Sequence, residues 1–199
     1  FRSVRARHEA SCLPGRFCTL PGPEGLRSGE SITAGWAARS SDLWVVTDAG
    51  RAFHYDGISW VEGQEELNQE GSKFVGTSMW GSRSDDIWAG MNQSSNPPQA
   101  LLRHWDGGHW RPVALDAGLP ADASIYALHG TAADDVWAAV SYSGGESPRS
   151  AVVHFDGSRW RVSYGAAPKT VTTLYSPQRG ELWASGYDYL WLRFRDGAW

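Results

Sequence analysis

Three histidines recur at a fixed interval, and their spacing raises the question of a metal site. His54, His104 and His154 lie 50 residues apart, and each is followed by an aromatic residue and an Asp-Gly pair. Histidine is the commonest metal ligand in proteins, but ligands must converge on one ion. Residues at one position of a repeat are instead spread over successive units. We therefore expect each histidine to form a hydrogen bond within its own unit, and we predict neither a metal nor another cofactor.

Two pairs of adjacent aspartates raise the question of calcium binding. They are Asp85-Asp86 and Asp134-Asp135, and each lies in a short polar stretch between apolar segments. Calcium takes six to eight oxygen ligands, whereas a polar turn explains both pairs without an ion. The sequence also lacks the motifs of serine hydrolases, zinc proteases, P-loop enzymes and Rossmann folds. We predict that the protein is not an enzyme.

The histidines and aspartates belong to an internal repeat, which is the strongest signal in the sequence. One repeated element places an acidic residue two positions before a tryptophan: Asp42–Trp44, Asp86–Trp88, Asp135–Trp137 and, more loosely, Glu181–Trp183. The other places an Asp-Gly pair shortly before a tryptophan: His54–Trp60, His104–Trp110, His154–Trp160 and, one residue shorter, Phe194–Trp199. The two elements alternate along the chain, so the chain contains four copies of one unit.

Each unit contains four short segments whose alternating apolar residues are typical of β-strands. The Asp-Gly pairs indicate hairpin turns, because glycine accepts a positive φ. Tandem four-stranded units of about 40–50 residues are the blades of a β-propeller. We predict an all-β propeller of four-stranded antiparallel blades, with four blades in one domain. The predicted blades cover about 31–72, 73–122, 123–169 and 170–199.

Residues 1–30 precede the first complete unit, and residues 13–30 match the tail of a further one. Phe17 lies 19 residues before Trp36, just as Trp110 lies 19 residues before His129. We therefore predict that Phe17–Leu20 supplies the outer strand of the last blade and closes a four-bladed ring. The alternative is that this chain is part of a larger propeller.

Composition and cysteine spacing bear on the location of the protein. Cys12 and Cys18 bracket a turn-prone loop, which predicts a disulfide and an exported protein, secreted, periplasmic or at the cell surface. Two unrelated free thiols are the alternative. The net charge is −4 without a basic stripe, so we predict no nucleic-acid partner. No apolar run reaches the roughly 18–20 residues that cross a bilayer, so we predict no membrane insertion.

The pattern W-G-S-x-x-D-D-[VI]-W-A followed by H-[FWY]-D-G-x-x-W resembles the propeller repeats of secreted bacterial proteins. It is also similar to tectonin-type lectin repeats. The resemblance covers about residues 31–199 and implies a non-catalytic extracellular module that binds a glycan or a cell-surface component. A protein–protein scaffold in a secreted or surface assembly is the alternative. A glycoside-processing enzyme is more distant, because the Arg-Ile-Pro segment of sialidase propellers does not occur.

Loop lengths predict which face of the propeller binds. The spacing from the second-strand tryptophan to the Asp-Gly pair is 12 and 13 residues in units one and four, but 18 and 19 in units two and three. Variable loops on a rigid scaffold commonly carry binding sites. The alternative is that these loops are exposed to solvent and have no binding role. We predict ligand contacts from these loops and from unit four: Asn92, Asn96, Tyr142, Glu146, Arg149, Tyr187 and Tyr189.

Overall fold

The computed structural model describes residues 11–12, 18–63, 67, 73–93, 99–143, 148–167 and 169–199. The fold is an all-β propeller of four antiparallel blades arranged in a ring, which confirms the predicted fold class. The regular secondary structure of these residues is entirely β-strand. Within these ranges, no helix is long and apolar enough to cross a membrane.

Two short strands, β1 (Ser11–Cys12) and β2 (Cys18–Thr19), precede the blades. Blade 1 contains β3 (Ile32–Arg39), β4 (Asp42–Thr47), β5 (Ala52–Tyr55) and β6 (Trp60–Glu62). Blade 2 contains β7 (Phe74–Arg83), β8 (Asp86–Gln93), β9 (Gln99–Trp105) and β10 (Trp110–Val113). Blade 3 contains β11 (Ser124–Ala132), β12 (Asp135–Ser143), β13 (Pro148–Phe155) and β14 (Trp160–Ala167). Blade 4 contains β15 (Val171–Gln178), β16 (Glu181–Gly186) and β17 (Trp191–Arg195). Strands pair in chain order within each blade.

The Asp-Gly pairs form the outer hairpin turns of blades 1 to 3. The Asp56 carboxylate accepts hydrogen bonds from the backbone N–H groups of the two residues after the glycine, at 2.9 and 2.8 Å. Gly57 has a φ of +90°, a conformation that glycine adopts without steric cost. Asp106 and Asp156 make the same contacts in blades 2 and 3. The turn chemistry read from the sequence is therefore confirmed.

Each of blades 1 to 3 holds a three-residue unit made from the two repeated elements. In blade 2, Nε2 of His104 donates to Oδ1 of Asp86 at 2.6 Å, and the imidazole packs against the Trp88 ring at 4.4 Å between centroids. Burial raises the pKa of Asp86, but hydrogen bonds from His104 and Ser82 outweigh it, so the pKa lies below its ordinary value of 3.8. The other units are Asp42–His54–Trp44 and Asp135–His154–Trp137. The histidines thus hold their own blades together.

The second-strand tryptophan also joins each blade to the next. Trp88 of blade 2 contacts Phe155 and Trp160 of blade 3, with ring centroids 5.1 and 5.5 Å apart. The same contact is made by Trp44 with Trp105 and Trp110, and by Trp137 with Phe194 and Trp199. Burial of one such ring removes roughly 150–250 Å² from water, which corresponds to about 4–6 kcal/mol at 25 cal/mol per Å². These three contacts are therefore a major source of adhesion between blades.

A second contact between blades places a first-strand aromatic ring over a glycine of the next blade. Trp80 of blade 2 lies against Gly130 of blade 3, where an added Cβ would lie 2.8 Å from the ring and 2.5 Å from the Asp135 carbonyl oxygen. Trp36 and Gly81 form the same arrangement between blades 1 and 2. The glycine is required because the ring takes the space of its side chain.

Neighbouring blades contact one another through their inner strands. The inner strands pack in the order β3, β7, β11 and β15, and no contact of similar extent joins β15 to β3 among the described residues. Among the described residues of Phe17–Leu20, β2 pairs with β1, and closure of the ring by this segment stays a prediction. A hairpin partner only a short loop away is reached at a small entropic cost. Phe17 itself lies outside the described residues.

The predicted disulfide is not supported by the structure. Backbone pairing of β1 and β2 places Cys12 opposite Cys18. The side chains of both cysteines lie outside the described part of the chain, and no disulfide occurs within that part. The disulfide therefore stays a prediction.

Substitution of Gly130 tests the packing between blades. We expect Gly130→Ala to lower the free energy of unfolding by about 1–3 kcal/mol, because the new Cβ must displace the Trp80 ring or the backbone of the turn. Gly108→Ala is the matched control, since its added Cβ meets no atom closer than 3.7 Å. Chemical denaturation measures both variants. Equal stability of the two would contradict this account of the interface.

His129 makes the third interface sensitive to pH. Its ring contacts Tyr175, its Nδ1 accepts from the Ser176 backbone N–H at 3.2 Å, and burial lowers its pKa below 6.5. The unfolded chain binds the proton more readily, so this contribution to stability is complete above pH 6.5 and falls as pH decreases through that value. We expect His129→Gln to make the unfolding free energy change less between pH 7 and pH 5 than it does in wild type. A pH profile of the His129 variant parallel to wild type would exclude this role.

Candidate functional site

A cleft of about 450 Å³ lies between blades 3 and 4, at the end of the propeller where second strands finish and first strands begin. This is the face on which the sequence predicts the binding site. The lining is rich in hydroxyl groups and contains three tyrosines. The described lining residues are Asp122, Ser124, Tyr126, Ser141, Tyr142, Ser143, Thr170 and Tyr187.

Three parts of the fold position these side chains. The end of β12 supplies Ser141–Ser143, and the turn before β11 and its first residues supply Asp122, Ser124 and Tyr126. Blade 4 supplies Thr170, just before β15, and Tyr187, just after β16. Side chains alternate between the two faces of a strand, so neighbouring residues at a strand end point to different sides. Residues of both blade 3 and blade 4 therefore line the cleft.

Asp122 supplies the one negative charge among the described lining residues. Its Oδ2 accepts a hydrogen bond from the Ser143 backbone N–H at 2.9 Å. Hydrogen bonding by the side chain and then the backbone of Ser143 lowers the pKa of Asp122 below its ordinary value of 3.8. The carboxylate is therefore ionised at neutral pH and holds the end of β12 against the turn before β11.

A strained turn presents Tyr187 to the cleft. The Tyr187 backbone N–H donates to the Thr170 carbonyl at 3.1 Å, and the Leu190 N–H donates back to the Tyr187 carbonyl at 3.3 Å. Between them, Asp188 and Tyr189 have φ values of 56° and 62°. Non-glycine residues in this region carry strain that is often found at functional sites. Tyr187 is 62% exposed and Tyr189 is 98% exposed.

The structure separates the predicted contact residues into three groups. Tyr142 and Tyr187 come together in the cleft, whereas Tyr189 and Arg149 are exposed outside its described lining. The Asn92 amide is bonded to both the N–H and the carbonyl of Ile125, each at 2.7 Å, so it joins blades 2 and 3. Asn96 and Glu146 lie outside the described residues.

Sequence reasoning missed the residues that the blade-to-blade connections bring to the cleft. Asp122, Ser124, Tyr126 and Thr170 all precede or begin a first strand. In any propeller with this strand order, the connections between blades lie on the same face as the variable loops. Their position in the sequence could therefore have predicted these cleft residues. The prediction instead relied on the length of the loop between the second and third strands of each blade, which does not include these connections.

Two other concave regions are present. A groove of about 660 Å³ runs along the outside of blade 3, between residues 113–117 and the hairpin that carries Arg159 and Arg161. An apolar hollow of about 400 Å³ lies on the open face of blade 4. Across the described ranges, no group of three or more His, Cys, Asp or Glu side chains is placed to hold a metal ion.

Comparison with known proteins identifies structural neighbours only. No family model and no curated protein sequence matches the chain. It is similar to the structure of YCF48 bound to D1 peptide, with 19% identity and a TM-score of 0.57 over 83% of this chain and 51% of that one. It is also similar to the extracellular domain of a protein described as the hybrid two-component system BT4673 from B. thetaiotaomicron, with 12% identity and a TM-score of 0.62 over 90% of this chain and 23% of that one.

A third similarity is to a fucose lectin from Kordia zhangzhouensis in complex with methyl-fucoside. Identity is 15% and the TM-score is 0.42, over 67% of this chain and 96% of that one. This score is too low to support an argument. The first two neighbours support the propeller fold alone, and the chain spans about half of one and a quarter of the other.

The strain at Tyr189 can be measured by comparing glycine with alanine. We expect Tyr189→Gly to be more stable than Tyr189→Ala by about 1 kcal/mol, because only glycine adopts the positive φ without cost. Tyr187 has no positive φ among the described backbone angles, so there the order should reverse, with alanine more stable by about 0.4–1 kcal/mol. Thermal and chemical unfolding of the four variants measures the stability difference between glycine and alanine at each position. The same order at both positions would contradict the strained turn.

Proposed function

We propose that this protein is a non-catalytic binding module that recognises a glycan in the cleft between blades 3 and 4. The observation that carries the proposal is the composition of the lining. Tyr126, Tyr142 and Tyr187 surround a cleft whose other described members are four small hydroxyl residues and one carboxylate. Binding sites commonly combine aromatic surface with a few placed polar groups.

This lining matches the chemistry of a sugar ring. One side of a pyranose presents C–H groups, which pack on the face of an aromatic ring, and its edge presents hydroxyl groups. Serine, threonine and tyrosine hydroxyls both donate and accept hydrogen bonds, and an ionised carboxylate accepts from two sugar hydroxyls at once. Tyr126 is 40% exposed and Tyr187 is more so, so both rings can be reached from solvent.

The negative charge of the cleft and of the chain favours binding of a neutral glycan. Asp122 is ionised at neutral pH and is the charged member of the described lining. The chain as a whole carries a net charge of −4. Asp122 would therefore repel an anionic sugar bound next to it. We infer that uncharged sugars bind better than sialylated or sulfated ones.

A binding role outside the cytoplasm fits these features better than catalysis does. Glycoside hydrolysis in most families requires two carboxyl groups that flank the scissile bond, and the described lining supplies one. A secreted, periplasmic or surface location would place the module where glycans are exposed. The paired positions of Cys12 and Cys18 in β1 and β2 are consistent with that location.

A protein-interaction scaffold is the second candidate. The outer groove of about 660 Å³ favours it, because Val162 offers exposed apolar surface beside Arg159 and Arg161. An extended acidic peptide would fit that composition. This candidate predicts binding that depends on the outer groove and not on the cleft.

A glycan array followed by titration calorimetry tests the proposal. We expect neutral glycans to bind, and Tyr142→Ala with Tyr187→Ala to weaken affinity at least about tenfold, which is 1.4 kcal/mol. Loss of two aromatic contacts at the centre of a site accounts for this size.

Tyr189→Ala is the matched control, because Tyr189 belongs to the same turn but lies outside the described lining. Its affinity should equal that of wild type. Unchanged affinity in the double variant would place the site elsewhere. Absence of glycan binding, together with peptide binding that is lost in Arg159→Ala, would favour the scaffold.

A further inference from the structure

Two side chains of blade 2 clamp the first strand of blade 3. The Asn92 amide accepts a hydrogen bond from the Ile125 backbone N–H and donates one to the Ile125 carbonyl, both at 2.7 Å. The Thr77 hydroxyl donates to the same carbonyl at 3.0 Å. Ile125 is fully buried, and backbone polar groups in such a place need partners. Asn92 and Thr77 therefore seal the contact between blades 2 and 3, and we call them the clamp residues.

Strand register shows which residues hold the clamp positions between blades 3 and 4. Asn92 lies four residues after the second-strand tryptophan of blade 2, and Ser141 lies four residues after that of blade 3. Thr77 is the extra residue of a β-bulge in β7, and Tyr126 is the extra residue of the matching bulge in β11. Ser141 and Tyr126 both line the cleft. The cleft therefore lies at the two positions where blade 3 lacks the clamp residues.

Neither Ser141 nor Tyr126 makes the hydrogen bonds of the clamp. The Ser141 hydroxyl donates to the Arg149 carbonyl within its own blade at 3.1 Å. Tyr126 is 40% exposed, and no hydrogen bond joins its side chain to the described residues of blade 4. A serine side chain also lacks the amide group of asparagine. The space that Asn92 fills between blades 2 and 3 is therefore part of the cleft between blades 3 and 4.

Val171 is the residue of blade 4 that corresponds to Ile125. Each of the two lies directly before the bulge of its first strand, and each is fully buried. The Val171 N–H donates to the Ser150 hydroxyl at 3.0 Å, which replaces one bond of the clamp. Across the described ranges, no side chain donates to the Val171 carbonyl. This carbonyl therefore lacks the two side-chain donors that the Ile125 carbonyl has.

The Val171 carbonyl favours a ligand that supplies a hydrogen-bond donor. A buried acceptor that is left without a hydrogen bond is unfavourable. Thr170, directly before Val171 in the chain, lines the cleft, so the carbonyl lies next to the blade 4 wall of the cleft. A hydroxyl group is a suitable donor there, as Thr77 shows at the matching carbonyl. The chemistry of this wall therefore suits a sugar hydroxyl.

We propose that Ser141 keeps the cleft open, and that one hydroxyl group of the bound glycan donates to the Val171 carbonyl as the clamp residues donate to the Ile125 carbonyl. This contact rests on the proposed function, since it lies within the same cleft. It narrows the ligand class to neutral hexoses whose hydroxyl group at the blade 4 wall is free. Ser141 is a positioning residue, because its short side chain leaves the space that this hydroxyl enters.

Two substitutions that copy the clamp of blade 2 into blade 3 test the position of Ser141. Ser150→Ala removes the acceptor of the Val171 N–H, and alanine is the natural residue at the matching position beside Asn92, which is Ala100. We expect Ser150→Ala to lower the midpoint of chemical denaturation. Adding Ser141→Asn should restore it, because the new amide offers Val171 both an acceptor and a donor. A double variant no more stable than Ser150→Ala would overturn the proposal.

Titration calorimetry with the methyl glycosides of glucose, galactose and mannose, and the monodeoxy derivatives of each, tests the ligand contact. For the glycoside that binds wild type most tightly, one monodeoxy derivative should bind at least about tenfold more weakly, because the Val171 carbonyl then loses its donor. The double variant Ser141→Asn with Ser150→Ala should bind the parent glycoside no better than wild type binds that derivative, because the new amide occupies the place of the hydroxyl. Wild-type affinity in the double variant would overturn the contact.

Asp48→Asn is the matched control, because Asp48 holds the position of Asn92 in blade 1. Asp48 accepts from the Ser31 backbone N–H at 2.9 Å, and an asparagine oxygen can accept the same bond. The stability and glycan affinity of this variant should equal those of wild type. Wild type that binds every monodeoxy derivative as tightly as its parent, or none of the three glycosides, overturns the contact alone. Absence of binding across the whole glycan array overturns the proposed function with it.

Discussion

The contact on which the structure depends is the insertion of one tryptophan into the aromatic pair of the next blade. Trp44, Trp88 and Trp137 make it at the three interfaces. A four-stranded sheet that is apolar on both faces cannot remain exposed, and each blade covers one face of its neighbour. The tryptophan must be held at a fixed angle to do this. A histidine packed against its ring, and a buried aspartate that accepts from the histidine, hold it there.

This unit explains why charged residues are tolerated so close to the core. Asp42, Asp86 and Asp135 are each at most 5% exposed, and an unpaired carboxylate in such a place would be very unfavourable. Each is satisfied by a histidine and by a serine or threonine hydroxyl, namely Ser84, Ser82 and Thr131 in turn. The bond from Ser84 to Asp42 crosses from blade 2 to blade 1. Polar contacts therefore reinforce the aromatic ones between blades.

The residues of the proposed glycan site lie where this repeated packing is relaxed. The cleft between blades 3 and 4 is formed by strand ends and connections, which the packing of the blades does not constrain. Tyr187 belongs to a turn of unit four in which Asp188 and Tyr189 adopt positive φ. Blade 4 departs from the pattern again at Trp191, which is exposed where the corresponding Val152 of blade 3 is buried. The proposed glycan cleft concerns a departure of this kind.

The sequence by itself determined the fold class, the blade units and their turns. Repeated residues such as Asp86, Trp88 and His104 have the same role in blades 1 to 3, so their spacing is sufficient to predict local structure there. It also indicated the face that carries the cleft and two of its members, Tyr142 and Tyr187. Only the tertiary structure showed that Asp122 and Tyr126 also line the cleft. It also showed that the Asn92 amide is hydrogen-bonded to the backbone of Ile125. The spacing of residues along the sequence predicts which residues are neighbours within one blade. The distance between residues of different blades depends on how the blades pack.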